Sequence, residues 1–220
     1  MNSALKNKLK LLFQNKILIV IFILAAFLRF YKLGINPPAL TWDEVAWGYN
    51  AYSLGQTGKD EFGRFLPLNY LESFGDFKPP VYAYLTVLPV KIFGLNEFST
   101  RFASAFFGTL TVLLVYYLVN ELFINELKTK KKLVNSLTRN KSIAIIASAL
   151  LAISPWHIML SRAAFEANVA SFFLIAGVIF FLAGVRKKAW FLGISAASFA
   201  LAVQTFNTSR VVVPILVVLL

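Results

Sequence analysis

The sequence contains no cysteine and one histidine, His157. The first absence excludes disulfides, thiolate nucleophiles and cysteine-ligated metal sites, and it leaves the redox compartment unreadable. The second excludes a multi-histidine metal site, and a lone histidine at the end of an apolar run suits an interfacial polar role. Acids are scarce too: 10 Asp and Glu face 22 Lys and Arg, for a formal net charge of +12. On a soluble chain that excess would suggest nucleic acid. Here the bases gather beside apolar runs instead. Lys6, Lys8, Lys10 and Lys16 precede the first run, Lys128, Lys130, Lys131, Lys132, Arg139 and Lys141 fill one connection, and Arg186, Lys187 and Lys188 fill another. Such clusters mark cytoplasmic loops. The expected partners are membrane lipids, and no nucleic acid.

What the chain has in excess is hydrocarbon. Apolar residues make up 58% of its 220 positions, against about 45–50% in soluble domains. Residues 102–120, 142–160, 167–185 and 189–206 are runs of about 18 or 19 residues whose one acid, base or histidine is His157. A helix needs about 20 such residues to cross the bilayer core. Residues 17–33 are a fifth run, with Arg29 and Lys32 near its end, where long basic side chains snorkel. A sixth begins at Val211 and is still running at Leu220. The expectation is an all-α membrane protein with a single transmembrane domain over residues 1–220. Its first run is an anchor, because no small-residue cleavage site follows it. The chain reads as ending inside its sixth span, and so is expected to insert without completing catalysis by itself.

Charge also orders the spans. A cytoplasmic N-terminus and a cytoplasmic connection near 124–141 require an even number of crossings between them. Three apolar stretches lie there, and 81–95 is the weakest. It has about 15 residues, holds Pro89 and Lys91, and follows Pro79-Pro80. A stretch that short is interfacial or re-entrant. Residues 34–101 then form one external loop with short helices, and 161–168 and 207–210 form two more. Asp43, Glu44, Asp60, Glu61, Glu72, Asp76 and Glu97 fall in the first loop and Glu166 in the second, leaving Glu121 and Glu126 inside. The localisation read from this map is the inner or plasma membrane, multi-pass.

The chemistry belongs to those loops. Thr41 followed three residues later by Glu44 is a capping box for a helix through Val45 to Tyr52. Asp43 then sits in the first turn, where the helix dipole favours the ionised form. Both acids could simply cap the helix, and Asp43 could equally serve as a general base for a hydroxyl substrate. Lys78, before Pro79-Pro80, is either a snorkelling anchor or a phosphate ligand. Arg162 and Glu166 are four apart, so they would share a helix face as an ion pair, or divide into a phosphate ligand and a third acid. Arg210, after Asn207-Thr208-Ser209, either snorkels or holds phosphate. Together they put acids and bases on one membrane face, a set suited to a phosphate-bearing lipid and a deprotonated acceptor.

At these residues the sequence resembles the bacterial family 39 glycosyltransferases, relatives of the protein O-mannosyltransferases and of the lipid A aminoarabinose transferase. The carriers are Pro37-Pro38 leading into Trp42-Asp43-Glu44, then Lys78-Pro79-Pro80, then Phe93-Gly94-Leu95-Asn96-Glu97-Phe98-Ser99-Thr100-Arg101, and finally Ser154-Pro155-Trp156-His157 with Ser161-Arg162. The resemblance implies a GT-C-like polytopic helical bundle with juxtamembrane helices in its first external loop. It implies a polyprenyl-phosphate sugar donor, a protein, lipid or glycan acceptor, and inversion at the anomeric carbon. Asp43 matches the family's catalytic acid, and Lys78 a lysine that meets the donor phosphate. Glu166 lies where relatives carry a second acid. The aminoarabinose transferases place a glutamate near a metal directly before that lysine. Phe77 stands there in this sequence, so no metal is carried over, no cofactor is called for, and a divalent cation is left open. In the resulting assignment Asp43, Glu44 and Glu166 are catalytic, while Lys78, Arg162 and Arg210 hold the donor phosphate. The rivals are a transporter or channel module, which needs polar residues at mid-membrane depth, and a non-catalytic membrane scaffold.

Overall fold

The computed structural model describes the backbone of residues 3–123 and 130–220 and the side chains of residues 16–123 and 141–220. The side chains of Lys6, Lys8, Lys10 and Glu126 and the basic side chains from Lys128 to Arg139 lie outside those described. The elements in chain order are α1 (Ser3–Phe30), α2 (Trp42–Thr57), the hairpin strands β1 (Leu71–Ser73) and β2 (Asp76–Lys78), α3 (Val81–Phe93), α4 (Glu97–Leu122), α5 (Lys130–Ile153), α6 (Pro155–Arg162), α7 (Glu166–Arg186), α8 (Trp190–Val203) and α9 (Ser209–Leu219). The hairpin is antiparallel, pairing Leu71 with Lys78 and Ser73 with Asp76. This is an all-α membrane fold with one small two-stranded sheet. The connection read at 124–141 is already helical from Lys130.

The long helices alternate in direction. Asn168 at the start of α7 donates to the Ser104 carbonyl near the start of α4 at 2.9 Å, and Arg186 at the end of α7 reaches Glu121 at the end of α4 at 3.8 Å. These two helices therefore run parallel. They are also long and apolar enough to cross a membrane, with 26 and 21 residues. The end of α1 meets the start of α4 through Leu33 and Arg101, so everything from residue 34 to 96 departs from and returns to one end of the bundle. Within it, α3 has 13 residues. At 1.5 Å per residue it rises about 20 Å, short of a core about 30 Å thick.

One span differs from expectation. Residues 142–160 do not form a straight helix: α5 and α6 meet at Ser154 with a bend of 56°. The cause is Pro155, which has no N–H to give the carbonyl four residues back and clashes with it. That carbonyl belongs to Leu151. It accepts instead from the Ser154 N–H at 3.3 Å and from Arg29 Nη2 at 3.3 Å, while Arg29 Nη1 takes the Ala152 carbonyl at 3.2 Å. Arg29 is fully buried. It does not snorkel; it crosses from α1 to satisfy the carbonyls that the break sets free. His157 Nδ1 accepts a further bond from Arg29 at 2.7 Å, which makes Nε2 the protonated nitrogen.

The run at 189–206 also shortens, to a 14-residue α8. Beyond it the Gln204 carbonyl accepts from the Val81 N–H at 3.1 Å. It thereby satisfies one of the orphan donors at the start of α3, where Pro80 offers no side-chain cap.

Against α7, α8 packs across Gly177. Ser195 donates to the Gly177 carbonyl at 2.8 Å, and a Cβ at Gly177 would lie 2.5 Å from the Phe199 ring. Gly193, on the same helix pair, has open space. Gly177→Val is therefore expected to destabilise the bundle by about 1–3 kcal/mol relative to Gly193→Val. Thermal unfolding in detergent decides it, and equal midpoints for the two variants would remove the close helix contact from the account.

Candidate active site

At the loop end of the bundle, an arginine holds several segments at once. Arg101, in the second turn of α4, is fully buried. Its Nε donates to Glu44 Oε1 at 2.7 Å and its Nη2 to Glu44 Oε2 at 3.3 Å. The remaining N–H groups go to the carbonyls of Leu33 at 3.2 Å, Pro37 at 2.8 Å and Ala39 at 2.7 Å. Every donor of the guanidinium is matched. Glu44 is matched as fully. It closes the capping box by accepting from the Thr41 N–H at 2.8 Å, and it accepts from the Ala164 N–H, between α6 and α7, at 3.1 Å. Burial pushes the Glu44 carboxyl up, but the bonds from Arg101, Thr41 and Ala164 outweigh burial and hold it below its ordinary value.

Glu44, expected among the catalytic residues, stands in the loop scaffold through these bonds. Both oxygens are occupied, so the residue positions the loop and has no free acceptor for substrate. Sequence reasoning missed Arg101 because it stands one residue before the apolar run and reads as its boundary. The available signal was an arginine sitting inside a strongly capped helix start, after Asn96, instead of ahead of it.

Asp43 is the exposed neighbour of this scaffold. Successive residues on a helix point about 100° apart, so when Glu44 faces inward Asp43 faces the loop surface. Its carboxylate bonds the Lys78 ammonium. Lys78 ends β2 with its side chain 8% exposed, while that of Asp43 is 51% exposed. Asp76 lies 3.8 Å from the same ammonium, which sits 5.3 Å above the Trp47 ring. Trp47 is buried and packs on Tyr82, with ring centroids 5.3 Å apart. Glu166, the first residue of α7, lies beside the indole and within electrostatic reach of Lys78 and Asp43. The Trp47 Nε1–H is buried without a well-formed hydrogen bond among the described residues. One cluster thus gathers Asp43, Lys78, Trp47 and Glu166 from three separate parts of the chain.

The other two bases go elsewhere. Arg162 ends α6, a turn at residues 163–164 follows, and Glu166 opens α7, so the pair does not share a helix face. Arg162 instead donates to the carbonyls of Leu28 at 3.0 Å, Tyr31 at 2.8 Å and Asn36 at 2.7 Å. It caps the end of α1, the terminus where a cation is favoured. Arg210 lines a cleft with Tyr70, Phe77 and Gln204, and no member of the Asp43–Lys78 cluster lines it. Arg162 and Arg210 therefore do not converge on Lys78.

Comparison with known proteins gives this geometry a family. The profile described as dolichyl-phosphate-mannose-protein mannosyltransferase matches residues 19–129, about half the chain. The chain belongs to that family. Asp43, Glu44, Lys78 and Arg101 all fall within the mannosyltransferase match, while Arg162, Glu166 and Arg210 lie beyond it. An uncharacterised protein of Aquifex aeolicus (strain VF5) is 26% identical over 190 residues, covering 85% of this chain and 34% of its own length. The chain thus spans about a third of that relative. No solved structure matches.

The buried pair sets a stability test. Arg101→Leu leaves the Glu44 carboxylate buried without its partner, and removing one member of such a pair costs about 3–5 kcal/mol. The folded carboxyl is depressed, so the contribution of the pair is present above the unfolded carboxyl value of about 4.3 and is lost as pH falls through the lower folded value. Unfolding midpoints of wild type and Arg101→Leu in detergent should differ widely at neutral pH and converge only in more acid solution. A gap that persists unchanged at the most acid pH would assign the loss to packing.

Proposed function

We propose that the chain carries the catalytic loop of a glycosyltransferase that moves a sugar from a polyprenyl-phosphate donor to a hydroxyl of a protein, lipid or glycan acceptor. Transfer takes place with inversion at the outer face of the inner or plasma membrane. The observation that carries the reading is the contact of a half-exposed carboxylate, Asp43, with a nearly buried lysine, Lys78, in a membrane chain of the mannosyltransferase family. Asp43 accepts the proton of the acceptor hydroxyl as its oxygen attacks the anomeric carbon. The bond from that carbon to the phosphate oxygen breaks on the opposite face, and the sugar inverts. The departing polyprenyl phosphate gains negative charge, which the Lys78 ammonium is placed to stabilise. Glu166 and Asp76 flank the ammonium, and Glu44 with Arg101 holds Asp43 in register without touching the substrate.

The orientation follows from the two ends of the bundle. Arg186, Lys187 and Lys188 lie at the end of α7 away from the site, as cytoplasmic bases do, which supports a cytoplasmic N-terminus and external loops. Because the chain has no cysteine, single-cysteine variants report this directly. Leu68→Cys and Thr208→Cys, both exposed, should react with an impermeant thiol reagent on intact cells, and Ala189→Cys should not. Labelling of Ala189→Cys from outside would invert the map.

The chemistry has its own test. With a polyprenyl-phosphate hexose and a hydroxyl acceptor, Asp43→Asn should lower transfer by about 10²-fold, the weight of general base catalysis. Asn keeps the place of Asp43 in the first turn, so the fold is retained. Lys78→Gln should weaken donor binding about tenfold, the loss of one charge-assisted hydrogen bond. The binding measurement needs no turnover and applies to this chain as it stands. Wild-type transfer by Asp43→Asn would reduce Asp43 to a cap, and wild-type donor affinity in Lys78→Gln would move the phosphate elsewhere.

A further inference from the structure

We propose that the cleft between the hairpin and the turn joining α8 to α9 is a second binding site, separate from the Asp43–Lys78 cluster, and that it takes an anionic carbohydrate. The cleft is about 550 Å³ and is lined by Asn69, Tyr70, Phe77, Val203, Gln204 and Arg210. That volume falls in the range of about 300–1,000 Å³ typical of small-molecule sites.

The walls of the cleft are joined. The Val81 N–H donates to the Gln204 carbonyl at 3.1 Å and Asn207 Nδ2 to the Phe77 carbonyl at 3.4 Å, so strand and helix turn are held at a fixed separation. Tyr70 and Phe77 meet edge to face with centroids 5.2 Å apart. Tyr70 is also backed by the Arg64 guanidinium at 4.9 Å from its ring, itself anchored on Asp60 at 2.6 Å. The two rings are half-exposed and fixed in place, as rings that stack on the C–H face of a sugar must be.

The polar groups supply the rest. Arg29, Arg64, Arg101, Arg162 and Arg186 each hold a carbonyl or carboxylate. Arg210 has no side-chain partner among the described residues, and its guanidinium is shaped for a phosphate or carboxylate. Gln204 lines the cleft with its Oε1 buried and unpartnered. A buried acceptor without a donor is costly, and a rotation about the last side-chain torsion would offer it to a ligand hydroxyl. Asn69 adds an exposed amide. A bare anion would use only Arg210, and a neutral apolar ligand would leave both Arg210 and the amides unmatched. An anionic sugar uses all of them. It could arrive as a free sugar phosphate or as the headgroup of a lipid.

The test uses the whole chain carrying Lys78→Gln, which removes the cation of the other site, in nanodiscs of phosphatidylcholine. Calorimetric titration with glucose 1-phosphate should show binding that is stronger than that of glucose or of inorganic phosphate. Adding Arg210→Gln should weaken it about tenfold or more, the worth of a charge-assisted bond, and adding Phe77→Leu, which keeps every charge, should weaken it too. In a second arm, vesicles containing phosphatidylinositol replace the free sugar, and Arg210-dependent capture there alone would identify the source as a lipid headgroup. Binding in neither arm, or binding that Arg210→Gln leaves unchanged, overturns the proposal. Glucose 1-phosphate binding that requires Lys78 and ignores Arg210 also overturns it, while leaving the reading of the Asp43–Lys78 site intact.

Discussion

A single buried ion pair organises the loop end of this protein. Arg101 reaches from α4 to Glu44 on α2 and to three carbonyls of the chain between α1 and α2, and Glu44 in turn holds the backbone between α6 and α7. Two charges taken out of water gain little net stability unless every donor and acceptor is matched. Here they are matched, and the matching partners are mostly backbone groups that no helix or strand could satisfy. A loop of this kind buried against a bundle would otherwise carry orphaned carbonyls. Arg101 thus allows irregular chain to pack tightly at the bundle end, and that packing sets where α2 begins.

The same solution recurs. Pro155 breaks a span and frees carbonyls at the end of α5, and Arg29 takes them. The end of α1 leaves its last carbonyls open, and Arg162 takes those. In a low-dielectric setting an unsatisfied carbonyl costs several kcal/mol, so an arginine whose donors fan out over several acceptors is an efficient partner. Two of the bases that look from sequence like a phosphate ligand or a snorkelling anchor, Arg162 and Arg29, are in this sense part of the backbone hydrogen-bond network.

What was legible in the sequence, and what was not, follows from range. The capping box at Thr41 and Glu44 is local, spanning three residues, and it stands as read. The shortness of α3 and the return of residues 34–96 to one end of the bundle were legible because charge and hydropathy are linear along the chain. The break at Ser154 was written in Pro155 but hidden by the apolar run around it. The meeting of Arg162 and Glu166 failed because spacing of four implies a shared face only within one helix, and a turn separates α6 from α7 between them. Arg29 was misread for a related reason: a basic residue near a helix end snorkels only if water is the nearest acceptor, and here protein acceptors surround it, among them carbonyls 122 and 123 residues away. The proximity of Asp43 to Lys78, and of both to Glu166, depends on folding over 35 residues and more, and only the family resemblance pointed to it.

The division between arginine and lysine carries the last step. Arg29, Arg101 and Arg162 are fixed by several bonds each, which suits them to scaffolding. Lys78 is different. Its ammonium is a compact charge with rotatable donors on a flexible stem, it sits between two carboxylates, and one of them, Asp43, is half exposed. Such a group can pass from carboxylate to an arriving phosphate by turning its stem, without dismantling the packing around it. A guanidinium at the same place would bind Asp43 through two bonds and hold it. The proposed chemistry, with Asp43 taking a proton and a cation meeting a leaving phosphate, is better served by the weaker and more mobile contact. The rigid pair one residue further on, Glu44 with Arg101, is what makes that mobility safe, because the helix that presents Asp43 stays in place when Lys78 lets go.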